Sequence, residues 1–232
     1  MRRAALLGIA MLATVVAGQA PELNLVLGKE ALSYVVYRYR TGYPYYHEKQ
    51  LIQPFGAGLD FSLPLGEHVR FGIGARFVWR TVSCTEYNLY YRDDTIKVTT
   101  SLSGLQGQTT ILAGVPVFSL LSIHGGLGLS YQSYWLNDDY RCAHDTAFFE
   151  RRTETTIKGP VQTFIAGVRF QVSDKIGFSL KAERVGISLL REDYRMYNSD
   201  DELVTSGERS YLTNEFADVN KTGFILELNI GI

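Results

Sequence analysis

Residues 51–81 read LIQPFGAGLDFSLPLGEHVRFGIGARFVWRT. Taken two at a time, they separate into unlike sets. Leu51, Phe55, Ala57, Leu59, Phe61 and Leu63 share one phase, interrupted only by Gln53. Pro64 to His68, PLGEH, supplies the punctuation of a tight turn. On the return, Val69, Phe71, Ile73, Ala75, Phe77 and Trp79 are apolar, while Arg70, Gly72, Gly74, Arg76, Val78 and Arg80 alternate with them. A period of two over this length is a β-hairpin with one greasy face and one small or ionic face.

The unit recurs on either side. Residues 107–137 turn near Ser119 to Ser122, with Ile123, Leu127, Leu129, Tyr131 and Trp135 on one face of the second limb. Residues 159–190 turn at Ser173-Asp174-Lys175. Beyond that turn the apolar phase slips from even (Phe178, Leu180) to odd (Val185, Ile187, Leu189), as a β-bulge would require. The chain closes on TGFILELNIGI, where Thr222, Phe224, Leu226, Leu228, Ile230 and Ile232 alternate with Gly223, Ile225, Glu227, Asn229 and Gly231. Three hairpins, one strand within Leu23 to Arg40 and this last strand make eight. Short turns fall at one end. The longer connections, 41–50, 85–103, 138–156 and 191–219, fall at the other and read as charged, Tyr-rich loops. The pattern predicts an all-β, eight-stranded antiparallel up-and-down transmembrane β-barrel.

Composition agrees. The 232 residues carry a net charge of −1, from 23 basic and 24 acidic side chains, so no broad basic field points to nucleic acid. Mean hydropathy is −0.04, but a barrel wall hides its apolar half in alternation. MRRAALLGIAMLATVVAGQA has two arginines, an apolar stretch and small residues, the layout of a secretory signal peptide. Cleavage after Ala20, or alternatively after Gly18, gives a 1–20 leader and a 21–232 barrel domain.

Orientation decides between a membrane barrel and a secreted lipocalin-like carrier, whose apolar residues would line a ligand cavity. The apolar face runs for five or six alternate positions per strand, enough to cross a bilayer with a tilted strand. Aromatics gather at strand ends: Tyr37, Tyr39, Trp79, Tyr131 and Trp135 toward the loops, Phe61, Phe71, Phe118, Phe170 and Phe178 toward the turns. These predict two interfacial girdles. The expected lumen charge network is Asp60, Arg70, Arg76, Arg80, Arg169, Lys181, Glu183 and Glu227, filling a narrow interior among glycines.

The leader, the Gly/aromatic hairpins, the short turns and the terminal FILELNIGI resemble the small eight-stranded outer-membrane β-barrel proteins of Gram-negative bacteria, the porin-like and outer-membrane-protein-A/X type. The resemblance spans nearly the whole mature chain. It departs at Ile232, where that family often ends in an aromatic residue. It implies residence in the outer membrane, contact with its lipid and lipopolysaccharide, and a terminal strand read by the barrel-assembly machinery. It also implies a non-enzymatic role in envelope structure, surface recognition or an envelope or secretion assembly. Some barrels of this type modify lipid A with a histidine at the membrane surface; here His47-Glu48 and His144-Asp145 are loop pairs with no nucleophile at a diagnostic spacing. Cys84 and Cys142 are the only cysteines, either a disulfide between two loops or two free thiols. Tyr90-Tyr91 and GYPYYHEK (42–49) read as girdle or recognition surface. The acidic run Asp200-Asp201-Glu202 reads as a solvated tip or a divalent-cation contact. No spacing of Cys and His points to a metal or another cofactor.

Overall fold

Alternation of large apolar with small or polar residues lets each of these segments sit between two solvents, and eight of them close on one another. The structure, a computed structural model, describes residues 20–31, 34–39, 47–87, 95–144, 147–212 and 222–232, with the backbone alone for the strand residues within 34–52, 83–98, 140–151 and 209–212. The ring runs β1 (Glu22–Lys29), β4 (Phe55–Pro64), β5 (Val69–Tyr87), β6 (Thr95–Phe118), β7 (Leu121–His144), β8 (Ala147–Gln171), β9 (Ile176–Tyr197) and β11 (Thr222–Gly231), and then returns to β1. Every pairing is antiparallel. Outside the ring lie β10 (Leu203–Leu212), paired with the far end of β9, and the hairpin of β2 (Tyr34–Tyr39) with β3 (His47–Ile52).

The seam is complete. β11 meets β1 from Glu22↔Gly231 to Lys29↔Phe224, and the amide of Ile232 donates to the carbonyl of Pro21 at 3.0 Å. The register also sets the stagger. From Leu226, partners lead through Leu27, Ala57, Phe77, Leu105, Ser133 and Lys158 to Arg191, whereas Leu226 itself pairs directly with Leu180. One circuit therefore climbs eleven residues along β9, one of them the bulge at Gly186 between the pairs Gln162↔Ile187 and Thr163↔Val185. Such a stagger tilts the strands by roughly 35–45° and leaves an interior just wide enough for side chains. The bulge turns Val185 inward and leaves Ile187 and Leu189 facing out.

The greasy face is the outer one. Along β11, Leu226 is 51% exposed while its neighbours Ile225 and Glu227 are 0% and 1% exposed. Leu27, Leu59, Ile73, Leu105, Leu129, Phe164 and Leu180 repeat this outward placement on the other strands. Arg76, Gln106, Gln132, Lys181 and Asn229 are buried inside. A lipocalin-like carrier would show the opposite arrangement.

The loop end departs from expectation. Much of 85–103, 138–156 and 191–219 is strand. β5 continues to Tyr87, β6 starts at Thr95, β7 reaches His144 and β8 starts at Ala147. The level Lys29↔Phe55↔Trp79↔Ser103↔Trp135↔Thr156 marks where the short strands stop. Above it β5 to β8 rise by about eight residues, or ~27 Å of strand. The physical reason is that both faces are wet there, so β-branched and Tyr residues keep their strand preference while the apolar alternation disappears. The crown is thus an open sheet of β5 to β10 standing over one side of the barrel. Its β9–β10 turn is built by Asn198, whose Oδ1 accepts from the amides of Asp200 and Glu202 at 3.0 and 2.8 Å, with Asp201 at φ 59°. The acidic run is that turn, and Asp201 pairs with Arg152 at 3.4 Å.

Placing Arg at Leu226, at mid-wall on the lipid face, is expected to cost about 2–4 kcal/mol. Urea unfolding from lipid vesicles will measure it, with Thr222→Ser as a neutral reference on the same face.

Candidate functional site: the sealed lumen

The inward residues of the ring stack in three layers. At the turn end lies a cavity of about 380 Å³, lined among others by Glu22, Arg70, His124, Arg169, Lys181 and Glu227. Glu22 organises it. Its carboxylate accepts both terminal nitrogens of Arg169 at 2.7 Å and faces Nη1 of Arg70 at 2.5 Å. The planar guanidinium suits this two-point contact. Lys181 Nζ meets Glu227 Oε1 at 2.5 Å. Ser179 Oγ donates to Asn229 Oδ1 at 2.7 Å, and Asn229 Nδ2 donates to Asn24 Oδ1 at 3.0 Å.

The middle layer holds Arg76, whose side chain is 1% exposed. Three carboxylates surround it: Glu183 at 3.2 and 3.3 Å, Asp60 at 3.6 Å and Glu30 at 3.7 Å. Glycines make this possible. A Cβ at Gly56 would overlap Glu30, and one at Gly74 would overlap Asp60. Gln53 caps the layer, its Nε2 donating to the carbonyls of Glu30 at 2.7 Å and Thr222 at 3.2 Å.

The loop-side layer is apolar. Val78, Leu102, Tyr134, Leu136, Ile157, Val161, Val185 and Leu190 pack inside the ring with Ala31. The hydroxyl of Tyr134 still finds a partner, donating to Gln106 Oε1 at 3.1 Å. The lumen is therefore filled by side chains at two levels, an ionic layer and a greasy one.

Of the sequence-derived network, Asp60, Arg76 and Glu183 meet in the middle layer, with Lys181 and Glu227 beside it. Arg70 and Arg169 lie apart from these at the turn end, joined through Glu22. Arg80 departs from the expected carboxylate pairing. Its guanidinium carbon stands 5.3 Å from the ring centroid of Phe55, near the rim, where a lipid-facing ring is the nearer partner. Glu22 and Glu30 join the network without having been expected in it, although they continue the inward phase Asn24–Val26–Gly28 at both ends of β1. Gln53 breaks the apolar phase because Pro54 resets it before β4. The apolar plug has no readable signal, since an inward Val or Leu looks like a lapse in alternation.

Trp79, Tyr131 and Trp135 face outward, and Trp79 and Trp135 lie on one ladder through Ser103. At the turn end Phe118, Leu121, Phe170 and Phe178 form another ladder, with Phe61 also exposed and Phe71 half-buried. Tyr37 and Tyr39 fall on β2, which is not a wall strand, because β1 ends at Lys29 and does not carry the lipid-facing phase onward. Their side chains lie outside the described residues, as do those of Cys84, Cys142, His47, Glu48 and His144; Asp145, Tyr90 and Tyr91 lie outside entirely, as does most of the leader. Backbone register sets Cys84 on β5 and Cys142 on β7, with β6 between. Exposed His68 sits 3.9 Å from Glu67 at a turn, and His124 borders the cavity. Among the described residues no cluster of His, Cys, Asp and Glu has the makings of a metal site.

A closed eight-strand ring, apolar outside and ionic within, is a transmembrane β-barrel. Solved structures similar to this chain include CarO2 of Acinetobacter baumannii, 10% identical and covering 92% of this chain and 99% of that one, with a TM-score of 0.40. A major outer membrane protein of Thermus thermophilus is 11% identical over 92% and 100%, with a TM-score of 0.43. Ail, the attachment invasion locus protein of Yersinia pestis, is 10% identical over 92% and 97%, with a TM-score of 0.33. The chain matches no family model and no curated protein.

Replacing Arg76 by Met strands three carboxylates in the middle layer and is expected to cost about 3–5 kcal/mol, on the order seen when one member of a buried ion pair is removed. Adding Glu183→Leu to the same chain should restore part of that loss. Denaturant unfolding of the single and double variants checks the non-additivity.

Proposed function

We propose that the chain is an integral outer-membrane protein that anchors and displays a rigid β-sheet crown, and that its barrel does not conduct solutes. The observation that carries this reading is the contrast between the two halves. Below, the lumen is blocked by Arg76 with its carboxylates and by the apolar plug. Above, five wall strands continue past the bilayer level into a sheet that the barrel does not need for closure. An even strand number with tight turns at one end and long extensions at the other fits an outer-membrane barrel with its crown outside the cell.

The crown carries charge pairs on its exposed strands. Lys158 pairs with Asp193 at 3.5 Å, and Arg191 bridges Asp193 at 3.3 Å and Glu208 at 2.6 Å. Exposed pairs of this kind add little stability singly; the backbone ladders β8–β9 and β9–β10 set the register. Ordered strands present side chains at fixed spacing, which lowers the entropy lost on recognition. Surface recognition, with the barrel as anchor, is the role these features serve. The closing strand β11 supplies the segment for the assembly machinery.

Two measurements test the reading. Purified protein in planar bilayers should give no sustained conductance steps; a stable open pore would overturn the sealed lumen. A variant that replaces 198–202 and the paired ends of β9 and β10 with a tight turn should still insert and shift mobility on unheated gels, yet lose the wild-type phenotype. If it complements a deletion strain fully, display by the crown is not the function.

A further inference from the structure

The crown is an open sheet, and one of its edges lies beside a strand of matching length. β4 pairs with β5 from Pro64↔Arg70 to Phe55↔Trp79 and goes no further. Above Trp79, β5 continues to Tyr87 with β6 as its one partner among the described residues. Backbone parity sets which groups face the other side. The amide of Leu65 donates to the carbonyl of Val69, and that of Gly114 to the carbonyl of His68. Odd residues of β5 therefore bond toward β4 and even ones toward β6. Beyond the end of β4, Thr81, Ser83, Thr85 and Tyr87 aim their N–H and C=O groups at the vacated edge. Thr81 to Tyr87 reads TVSCTEY, with one charge, no Pro and no Lys. Such an edge has little of what usually deters strand addition.

β3 runs straight into β4 through Gln53 and Pro54. Its partner is β2, in a two-stranded sheet of their own. Extending the β4–β5 ladder in its own register past Pro54 sets Ile52 opposite Val82, Gln50 opposite Cys84 and His47 opposite Tyr87. All six residues of β3 then have partners, and β5 ends where β3 begins. Pro54 is no obstacle. Its carbonyl accepts from the amide of Glu30 at 2.9 Å, so its missing N–H belongs to the β1 side of the strand. What interrupts the ladder is Gln53. The outward phase of Phe55, Leu59 and Phe61 would carry residue 53 outward too. Instead Gln53 is 8% exposed, and its Nε2 donates to the carbonyls of Glu30 and Thr222. That inward turn takes the chain out of the β4 phase directly after β3.

We propose that the upper edge of β5, Val82 to Tyr87, is the docking surface for β3 of the same chain, and that Gln53 is the latch that holds β3 off it. In the docked arrangement Leu51, Lys49 and His47 form hydrogen-bonded pairs with Ser83, Thr85 and Tyr87. Gln53 returns to the outward phase and releases the carbonyls of Glu30 and Thr222. β2 follows as the outermost strand, because it is already laddered to β3 from Tyr34↔Ile52 to Tyr39↔His47. The crown then grows by one hairpin, and its edge passes from β5 to β2. Docking exchanges the two side-chain bonds of Gln53 for backbone bonds along β5. Both sets compete with water, so the net difference is small and the two arrangements share the population. The inference rests on the register of the ring and not on the recognition role of the crown.

Cys84 supplies the probe, because position 50 lies directly opposite it in the docked register. That pair is a non-hydrogen-bonded one, with Cα atoms about 4.5 Å apart, within reach of a disulfide. A Gln50→Cys, Cys142→Ser protein in lipid vesicles, mildly oxidised, should form an intramolecular disulfide between position 50 and Cys84, read by non-reducing electrophoresis and peptide mass. A Lys49→Cys, Cys142→Ser protein, one step out of phase, should form its bond several-fold more slowly. Adding Gln53→Ala to the first protein should speed the bond several-fold, while the heat-shifted gel mobility of a folded barrel is kept. In the chain without an introduced thiol, Gln53→Ala should slow hydrogen exchange at the amides of Ser83 and Thr85 several-fold. No bond at position 50, or equal rates at positions 49 and 50, overturns the docking. An unchanged rate or unchanged exchange with Gln53→Ala overturns the latch. A disulfide that joins two chains through Cys84 instead gives the edge to a second copy and overturns its assignment to β3.

Discussion

Backbone hydrogen bonding in hydrocarbon is the constraint on which the rest depends. A strand in lipid has no water to satisfy its amides and carbonyls, so every edge must be paired. Here that requirement is met by bringing β11 against β1 over eight residue pairs. Once the ring is closed, strand number and stagger fix its radius, and the radius fixes what fits inside. A lumen this narrow admits side chains from facing strands into contact. Arg76 of β5 reaches Glu183 of β9 because the interior is one side chain wide at that height.

The interior then solves a second problem. Three carboxylates and one guanidinium out of bulk water carry a large desolvation cost, which is offset only if partners are near and well placed. Glycines at 56 and 74 remove the side chains that would otherwise occupy the space of Glu30 and Asp60. An apolar layer above the ionic one lowers the local dielectric, which strengthens the pairs beneath it. The turn end remains a polar cavity built around Glu22. The axis therefore runs from a polar cavity, through an ionic layer, to an apolar one.

The wall and the crown obey different rules for the same reason. Inside the bilayer the two faces of a strand meet unlike media, so composition alternates. Above it both faces meet water, so composition no longer reports the pairing. Strands β6 to β8 pass through both regimes without a break. On the tall side Lys158 pairs with Asp193 and Arg191 with Glu208 across neighbouring strands. The barrel is thus unequal around its circumference: β1, β4 and β11 end near the rim, while β5 to β9 continue into the crown.

What the sequence alone determined follows from local pattern. Alternation in 51–81, 107–137, 159–190 and 222–232 specified strands, faces and tight turns, because a period of two is a property of neighbours in the chain. It also marked Asp60, Arg76, Glu183, Lys181 and Glu227 as inward. The phase slip read between Glu183 and Val185 pointed to a bulge; the bulge falls just beyond, at Gly186, and leaves Val185 inward with Glu183 instead of outward with Ile187. What only the tertiary structure decided depends on residues far apart in sequence. The stagger around the ring set which carboxylate meets which cation, joined Arg70 and Arg169 through Glu22, and sent Arg80 to Phe55 instead. The apolar plug and the crown stayed hidden for a common reason: each face there meets a single kind of environment, and alternation is legible only where a strand divides two.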